Sequence, residues 1–187
     1  MGLTSFEPYQ KLLKENPELI SDYQKILVPH SFPKHHLLHI ENKVCEHSYL
    51  IEKGAARIYH FKEGKDITSH FAFDGEAITA IDSLLQKKKS KYNIELLEDS
   101  TLFSISYEDM ESFHQKSIIH ERFGRLFLQQ VYVDLVERIE DIQFHTALER
   151  YNKLLKKQPH ILQRVPLKHI SSYLGITQET LSRIRAK

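Results

Sequence analysis

The sequence of 187 residues has one cysteine, six glycines, no tryptophan and no long apolar run. A lone Cys45 permits no internal disulfide. A thiolate zinc site or an iron–sulfur cluster needs about four ligands, which one thiol does not supply. Glycine stands only at positions 2, 54, 64, 75, 124 and 175, so neither a G-x-G-x-x-G turn nor a G-x-x-x-x-G-K-[ST] loop can be written, and dinucleotide and P-loop chemistry fall away. The most apolar stretch, Leu126 to Val136, is broken by Gln129, Gln130 and Asp134 and falls short of the ~18 residues that cross a bilayer. The leading Met-Gly-Leu-Thr-Ser-Phe has no basic and apolar signal regions, and Phe6 stands where a myristoylation signal wants Ser or Thr. No membrane association is expected, and the cytoplasm is the default location.

What is present is an ordinary globular composition, 41% apolar and 27% charged, long enough for one core plus a small second unit. The net charge of +1 hides a division: residues 1–145 carry net −6 and residues 146–187 net +7. A basic tail on an acidic body points to a polyanionic partner, with a solvated basic face as the alternative.

Along the chain the period of the apolar residues changes. Tyr9, Leu12 and Leu13, then Leu19, Ile20, Tyr23, Ile26 and Leu27, fit two short helices parted by Asn16-Pro17. From about 34 to 107 the period is two: Ile67, Ser69, Phe71 and Phe73 alternate with Thr68, His70 and Ala72. Hairpin turns are expected at Gly54 and at Glu63-Gly64-Lys65. A third strand pair is expected around Glu98-Asp99-Ser100, with Ile94 and Leu96 before it and Phe103, Ile105 and Tyr107 after it. Several short strands in a row imply an antiparallel barrel or jelly roll. Ser106 then caps a helix through Met110 and Phe113.

From Ile118 to about Phe144 there is no proline, which predicts one helix of ~40 Å at ~1.5 Å per residue. Ile119, Phe123, Leu126, Val133 and Val136 form one apolar face, with Leu128, Val131, Leu135, Ile139 and Ile142 beside it. One stripe can pack on the body while another meets a second copy, although a wholly intramolecular core helix uses the same residues. Thr146-Ala147-Leu148-Glu149 is a capping box at the point where the charge changes sign. The domain boundary is therefore expected at 145/146, giving an N-terminal domain of 1–145 and a C-terminal domain of 146–187. The capped helix, with Leu148, Tyr151, Leu154 and Leu155, ends in Lys156 and Lys157 before Pro159.

The segment from Leu167 to Arg185 reads as a helix-turn-helix. Ile170 and Leu174 are apolar at helical spacing, small Ser171 allows close approach, Gly175 takes a left-handed turn, and Thr177 caps the second helix. Leu181 and Ile184 face inward, leaving Gln178, Glu179, Ser182, Arg183 and Arg185 on other faces, with Thr180 at the edge. Such a helix fits a major groove, where Arg183 can pair with guanine, Gln178 with adenine, and Glu179 can accept from cytosine. Glu179 can equally be a first-turn carboxylate favoured by the helix dipole, and Arg185 a phosphate contact or a solvated charge. Lys153, Lys156, Lys157, Arg164 and Lys168 suit backbone phosphates.

The stretch from Arg164-Val165-Pro166-Leu167 to Arg183, with Ser172-Tyr173-Leu174-Gly175-Ile176-Thr177 and Glu179-Thr180-Leu181-Ser182-Arg183, resembles the C-terminal domain of Crp/Fnr-family transcription regulators, particularly forms common in Bacteroidetes. Tyr49-Leu50-Ile51-Glu52-Lys53-Gly54-Ala55-Ala56-Arg57 is similar to that family's cyclic-nucleotide-binding-like barrel. The resemblance spans nearly the whole chain and implies an α+β fold. Its parts are an N-terminal antiparallel β jelly roll with flanking helices, a long dimerisation helix at about 118–144, and a C-terminal helix-turn-helix domain. It also implies a homodimer whose Glu179 and Arg183 approach bases.

Members that bind cyclic AMP carry a Gly-Glu pair for the ribose and, some ten residues on, an Arg with a small residue for the phosphate. Here Thr79-Ala80 and Ser90-Lys91 fall at those places, and Gly75-Glu76 comes early. Lys91 or the run Lys87-Lys88-Lys89 can replace the charge of the missing Arg but not its planar fork, and the run reads equally as a solvated loop. The chain also stops two residues after Arg185, where relatives continue into a wing.

Twelve histidines, with His35, His36 and His39 clustered, lack the spacing of a metal site, because His36 and His39 would share a face only on a helix. Cys45 reads as a small buried residue. No nucleophile, base and orienter assemble from local motifs, so an enzyme is not expected. The expected function is a homodimeric, sequence-specific DNA-binding transcription regulator reading an inverted repeat in double-stranded DNA. No cofactor or metal is expected, an unknown small-molecule effector is left open, and the cyclic nucleotide is disfavoured. The alternative is a ligand- or protein-binding dimer of the same fold that has lost DNA recognition.

Overall fold

The first two helical patterns form α1 (Glu7–Glu15) and α2 (Glu18–Gln24), in a computed structural model that describes residues 7–186. Residues 1–6, on which the reading of the leading segment rests, and Lys187 lie outside the described residues. Tyr9, Leu12 and Leu19 are buried with Phe113 of α4 (Tyr107–His114) and with Phe123 and Leu126 of α5 (Ile118–Phe144). The Tyr9 and Phe123 rings lie 5.0 Å apart and the Phe113 and Phe123 rings 5.5 Å. These helices therefore wrap the first third of α5. Gly124 leaves bare backbone where the His114 ring of α4 rests, so a Cβ there would collide with the imidazole. Ser106 caps α4, accepting from the Asp109 N–H, as the sequence predicts.

Eight strands make two four-stranded antiparallel sheets among the described residues. One sheet has the order β1 (Val28–Phe32), β8 (Ser100–Ser106), β3 (His47–Lys53), β6 (Ala77–Ile78). The other has the order β2 (Leu37–His39), β7 (Asn93–Leu96), β4 (Ala56–Lys62), β5 (Lys65–Ala72). Ile51, Ala56, Ala72, Ile78, Ile94, Leu96 and Leu102 fill the space between them. This is the expected roll, with four local corrections.

The first strand begins at Val28, not near 34. It pairs with β8 through a stretch containing Pro29, which an edge strand tolerates and a periodicity count discards. Gly54 and Glu98–Ser100 do not turn hairpins, because β3 and β4, and likewise β7 and β8, lie in different sheets. At Gly54 (φ +136°) the chain crosses between sheets so close to Ser100 that no side chain fits. Strict alternation in β5 fails because the register shifts opposite Ile58 and Tyr59, placing Thr68 inside and Ser69 outside. Tyr107 opens α4 and does not extend the last strand. The hairpin expected at Glu63-Gly64 is present, with both residues at positive φ and Lys62 opposite Lys65.

The long helix α5 is 27 residues, Ile118–Phe144. The face predicted to pack on the body does so at Ile119, Phe123 and Leu126, while Val133 and Val136 remain exposed. The helix breaks at His145, and α6 (Ala147–Lys157) restarts in the reciprocal capping box of Thr146 and Glu149. The Thr146 hydroxyl accepts from the Glu149 N–H at 3.3 Å, and the Glu149 carboxylate accepts from the Thr146 N–H at 2.8 Å. Thr146→Ala removes one half of this exchange and should cost ~1 kcal/mol, seen as a small drop in thermal midpoint. An unchanged midpoint would show that α6 is held by packing alone.

Candidate nucleic-acid interface

Beyond α6 a short turn of helix, α7 (Ile161–Arg164), leads to α8 (Leu167–Leu174) and α9 (Gln178–Arg185). The α8 to α9 turn follows from its residues. Gly175 takes φ +67°, and the N–H groups of Gly175 and Ile176 close back on the carbonyls of Ser172 and Ser171, the bonding of a Schellman end. Thr177 caps α9, its hydroxyl accepting from the Thr180 N–H at 3.2 Å. Ile170, Ser171, Leu174 and Leu181 are buried, so each helix locks the other's apolar face.

The opposite face of α9 is open. Gln178, Glu179, Ser182, Arg183 and Arg185 are exposed, and Thr180 is half-buried with its hydroxyl 3.2 Å from that of Thr177. Five of the six predicted contact residues are therefore exposed, and Thr180 lies at the edge of the buried face. Glu179 is held below the usual carboxylate range by its own backbone N–H, then by the Thr177 hydroxyl, with Arg183 adding to both. Its carboxylate is thus ionised and already served by the start of the helix, as a first-turn carboxylate would be.

The five cations expected at phosphates divide. Lys156 and Lys168 are exposed. Lys153 instead reaches Asp141 at 2.7 Å, Lys157 reaches Glu137 at 3.0 Å, and Arg164 spans Asp74 at 2.7 Å and Glu98 at 2.5 Å. Those three suit phosphates only if they face a duplex, and here they face the acidic α5 and the barrel loops. The charge division along the chain is satisfied internally as well as outwardly.

The C-terminal helices are also docked on the roll, which sequence reading missed. Phe71, Phe73, Ala55 and Leu97 of the roll share one core with Tyr151, Ile161, Val165, Ile170, Leu174 and Leu181. The Ser172 hydroxyl accepts from the Thr68 N–H at 2.9 Å and donates to the Asp66 carbonyl at 3.0 Å, so it caps β5, the outermost strand of its sheet. Arg138 of α5 lies over the Tyr173 ring and donates to its carbonyl. Beneath α8, Arg57 is 4% exposed and donates to Asp66 through Nη1 and Nη2, to Glu95 through Nε at 2.9 Å, and to Thr68 at 3.1 Å. His169 of α8 is buried close by. Burial, with the Arg57 charge adding, lowers its pKa to about 4, so it stays neutral at the contact. A charged residue amid the apolar alternation of Ala56 to Tyr59 was the available signal for this network.

The segment between β6 and β7, which includes α3 (Ile81–Gln86), is closed on itself. The Ser83 hydroxyl accepts from the Cys45 N–H and donates to the Lys88 carbonyl. Ser90 is buried with its hydroxyl 3.3 Å from the Asp82 carboxylate, Ala80 is buried in the core, and the Thr79 hydroxyl donates to the His47 carbonyl. Lys91 is exposed. Glu76 accepts from the Phe73 N–H and from Gln158, the residue that ends α6. A phosphate at Ser90 would face a carboxylate, not a cation.

Cys45 is buried, His35 pairs with Glu95 at 2.7 Å, and His39 is buried with Nε2 unpartnered. Among the described residues no group of three or more His, Cys, Asp or Glu is placed to hold a metal ion, and no helix is long and apolar enough to cross a membrane.

Residues 29–117 match the family model of the cyclic nucleotide-binding domain. A search of the curated proteins found no match. Among solved structures, FixK2 from Bradyrhizobium japonicum is similar at TM-score 0.71 and 17% identity, over 86% of this chain and 83% of that one. A protein assigned as a Crp/Fnr-family transcriptional regulator from Eubacterium rectale gives 0.68 and 21%, over 95% and 85%. The c-di-GMP responsive global regulator CLP from Xanthomonas campestris gives 0.64 and 14%, over 91% and 90%. At these identities the likeness shows the fold: a cyclic nucleotide-binding roll, a long helix and the helices beyond it.

Proposed function

We propose that the chain is a Crp/Fnr-family transcription regulator that binds double-stranded DNA as a homodimer. In this reading residues 1–145 are the sensor and dimerisation part, and 146–187 a helix-turn-helix domain with α9 as the recognition helix. The observation that carries it is the state of α9: its apolar face is locked against α8 while Gln178, Glu179, Ser182 and Arg183 stand uncovered beside one another.

The dimer rests on a second feature of α5. Leu128, Tyr132, Leu135, Ile139 and Ile142 follow one another at steps of four and three, and are 54, 67, 55, 47 and 59% exposed. That is a heptad seam, apolar at every position, on a helix whose other side carries Asp134, Glu137, Arg138 and Asp141 toward the C-terminal helices. Two copies paired along it place two α9 helices about a two-fold axis. The operator is then an inverted repeat with half-site centres ~10 bp apart.

Cyclic AMP is a poor fit as effector, given Ser90 beside Asp82. The X. campestris neighbour responds to c-di-GMP, so one fold accommodates more than one ligand chemistry. Soluble, cytoplasmic action and the absence of catalysis follow from this function.

A labelled duplex titrated at ~50 to 200 mM salt tests the reading, because phosphate contacts make log affinity fall linearly with log salt. Arg183→Ala should cost ~1–3 kcal/mol on the preferred sequence and relax one base position. Salt-independent binding, or an unchanged Arg183 variant, would contradict it.

A further inference from the structure

Arg164, one of the five cations that the sequence offers to backbone phosphates, is turned the other way. Its Nη1 lies 2.7 Å from Asp74, Nη2 3.3 Å from Asp74 and 2.5 Å from Glu98, and Nε 3.1 Å from Glu98. The guanidinium lies 5.2 Å from the centre of the Phe73 ring. Asp74 follows β5 and Glu98 precedes β8, so the fork ties two loops of the roll to the end of α7. The anchor itself is fixed, because Asp74 also accepts from the Gly54 N–H at 2.6 Å, at the crossing that admits no side chain.

From this geometry we infer that Arg164 is a positioning residue, one that sets the angle of the DNA-reading helices and hence the half-site spacing the dimer accepts. The inference rests on the DNA-binding reading above. Along α5 the C-terminal helices are held by Arg138 over the Tyr173 ring, by Arg150 donating to the His145 carbonyl at the helix break, and by Lys153 and Lys157 on Asp141 and Glu137. Those contacts all lie on the α5 side, from the break at His145 along the whole of α6, while the side facing the roll is held by the shared apolar core, whose burial carries no fixed direction. Ser172 on β5, Gln158 on Glu76 and Arg164 on the far loops add directed bonds on that side, and of these only Arg164 is a charged fork. A planar fork on two carboxylates fixes direction as well as distance, which a lysine would not. Without the guanidinium, Asp74 and Glu98 are left as two like charges at the edge of the shared apolar core.

A phosphate contact and a brace fail differently. Arg164→Gln is compared with wild type and with the paired exchange Arg164→Glu, Glu98→Arg, which keeps the net charge and the Asp74 to Gly54 bond. The probes are inverted repeats that the wild-type chain selects from randomised duplexes, the same repeats with one or two base pairs added or removed between half-sites, and single half-sites. For Arg164→Gln the brace predicts a loss of about tenfold on the correctly spaced repeat, a weaker dependence on spacing, unchanged half-site affinity and an unchanged salt slope. The exchange should restore both affinity and spacing dependence.

Equal loss on half-site and repeat, with the salt slope reduced by ~0.9, would make Arg164 a phosphate contact and overturn the inference. A second measurement needs no DNA. Nitroxides at Lys62→Cys and Ser182→Cys, in labelled chain diluted with unlabelled, should give one narrow distance distribution in wild type and the exchange, and a broad one in Arg164→Gln. The same distribution in all three overturns the brace. Narrow and broad distributions as predicted, with no duplex bound by any chain, support the brace and reject the DNA-binding reading.

Discussion

Leu135→Asp is expected to turn the protein into monomers. Leu135 is the middle residue of the seam from Leu128 to Ile142 and is 55% exposed in the single chain. In a two-stranded pairing it meets its own copy, so the variant places two carboxylates opposite each other in an otherwise apolar contact, and each loses water without gaining a cation. The fold of each chain should survive, because α5 is anchored at its other end by Phe123 and Leu126 against Tyr9, Leu19 and Phe113. Light scattering should therefore give the 22.1 kDa of one chain at micromolar concentration with helix content retained. Two half-sites read by one dimer act through effective concentration, so affinity for the inverted repeat should fall by ~10²–10⁴. A variant that stays dimeric places the interface elsewhere. A monomer that binds as tightly as wild type means the two recognition helices do not act together.

Arg57→Ala should produce the largest loss of stability. The guanidinium is almost wholly enclosed between Asp66, Glu95, Thr68 and the Tyr59 ring, 3.9 Å from its centre. Removing it leaves the Asp66 carboxylate without its ion pair and Glu95 with His35 alone, a change that costs ~3–5 kcal/mol. At ~2–4 °C per kcal/mol for a chain of this size, the thermal midpoint should drop by ~6–20 °C.

The acid side should respond too. Burial by itself would raise the Glu95 pKa, but hydrogen bonds from His35 and Arg57 overcome it and hold the carboxyl below its ordinary value. A carboxylate depressed in the folded state adds stability that is present above its unfolded pKa and is lost as pH falls through the folded one. In Arg57→Ala the part of that depression owed to Arg57 disappears while the His35 bond remains, so acid unfolding should begin at higher pH than in wild type. A midpoint within a degree or two of wild type would show that the cluster is replaceable by water and that α8 is held by the shared apolar core and Ser172 without it.

The parts of this molecule that were legible in the sequence are those whose cause is local. Thr146 and Glu149 cap one another three residues apart, Gly175 supplies its own left-handed turn, and Leu181 and Ile184 recur at helical spacing. Each signal lies within one turn of chain, and the structure places all of them as read. Strand pairing was not legible, because alternation reports which face a side chain takes and not which strand lies alongside. Gly54 and Ser100 look like hairpin turns but carry the chain between sheets. The docking of α8 was hidden for a related reason. Phe71 and Ala72 are neighbours, and both are buried because β5 is covered on its two faces by different partners. The basic tail was correctly located, yet counting charge could not say that Lys153, Lys157 and Arg164 would find carboxylates within the same chain.

Selection of bound duplexes from a randomised pool by the purified chain, at ~100–150 mM salt to match physiological screening, tests the account most directly. The account predicts enrichment of an inverted repeat with half-site centres ~10 bp apart, with one base position in each half-site relaxed when Arg183→Ala is selected in parallel. Recovery of a single unrepeated site, or of a repeat identical for wild type and variant, would contradict it.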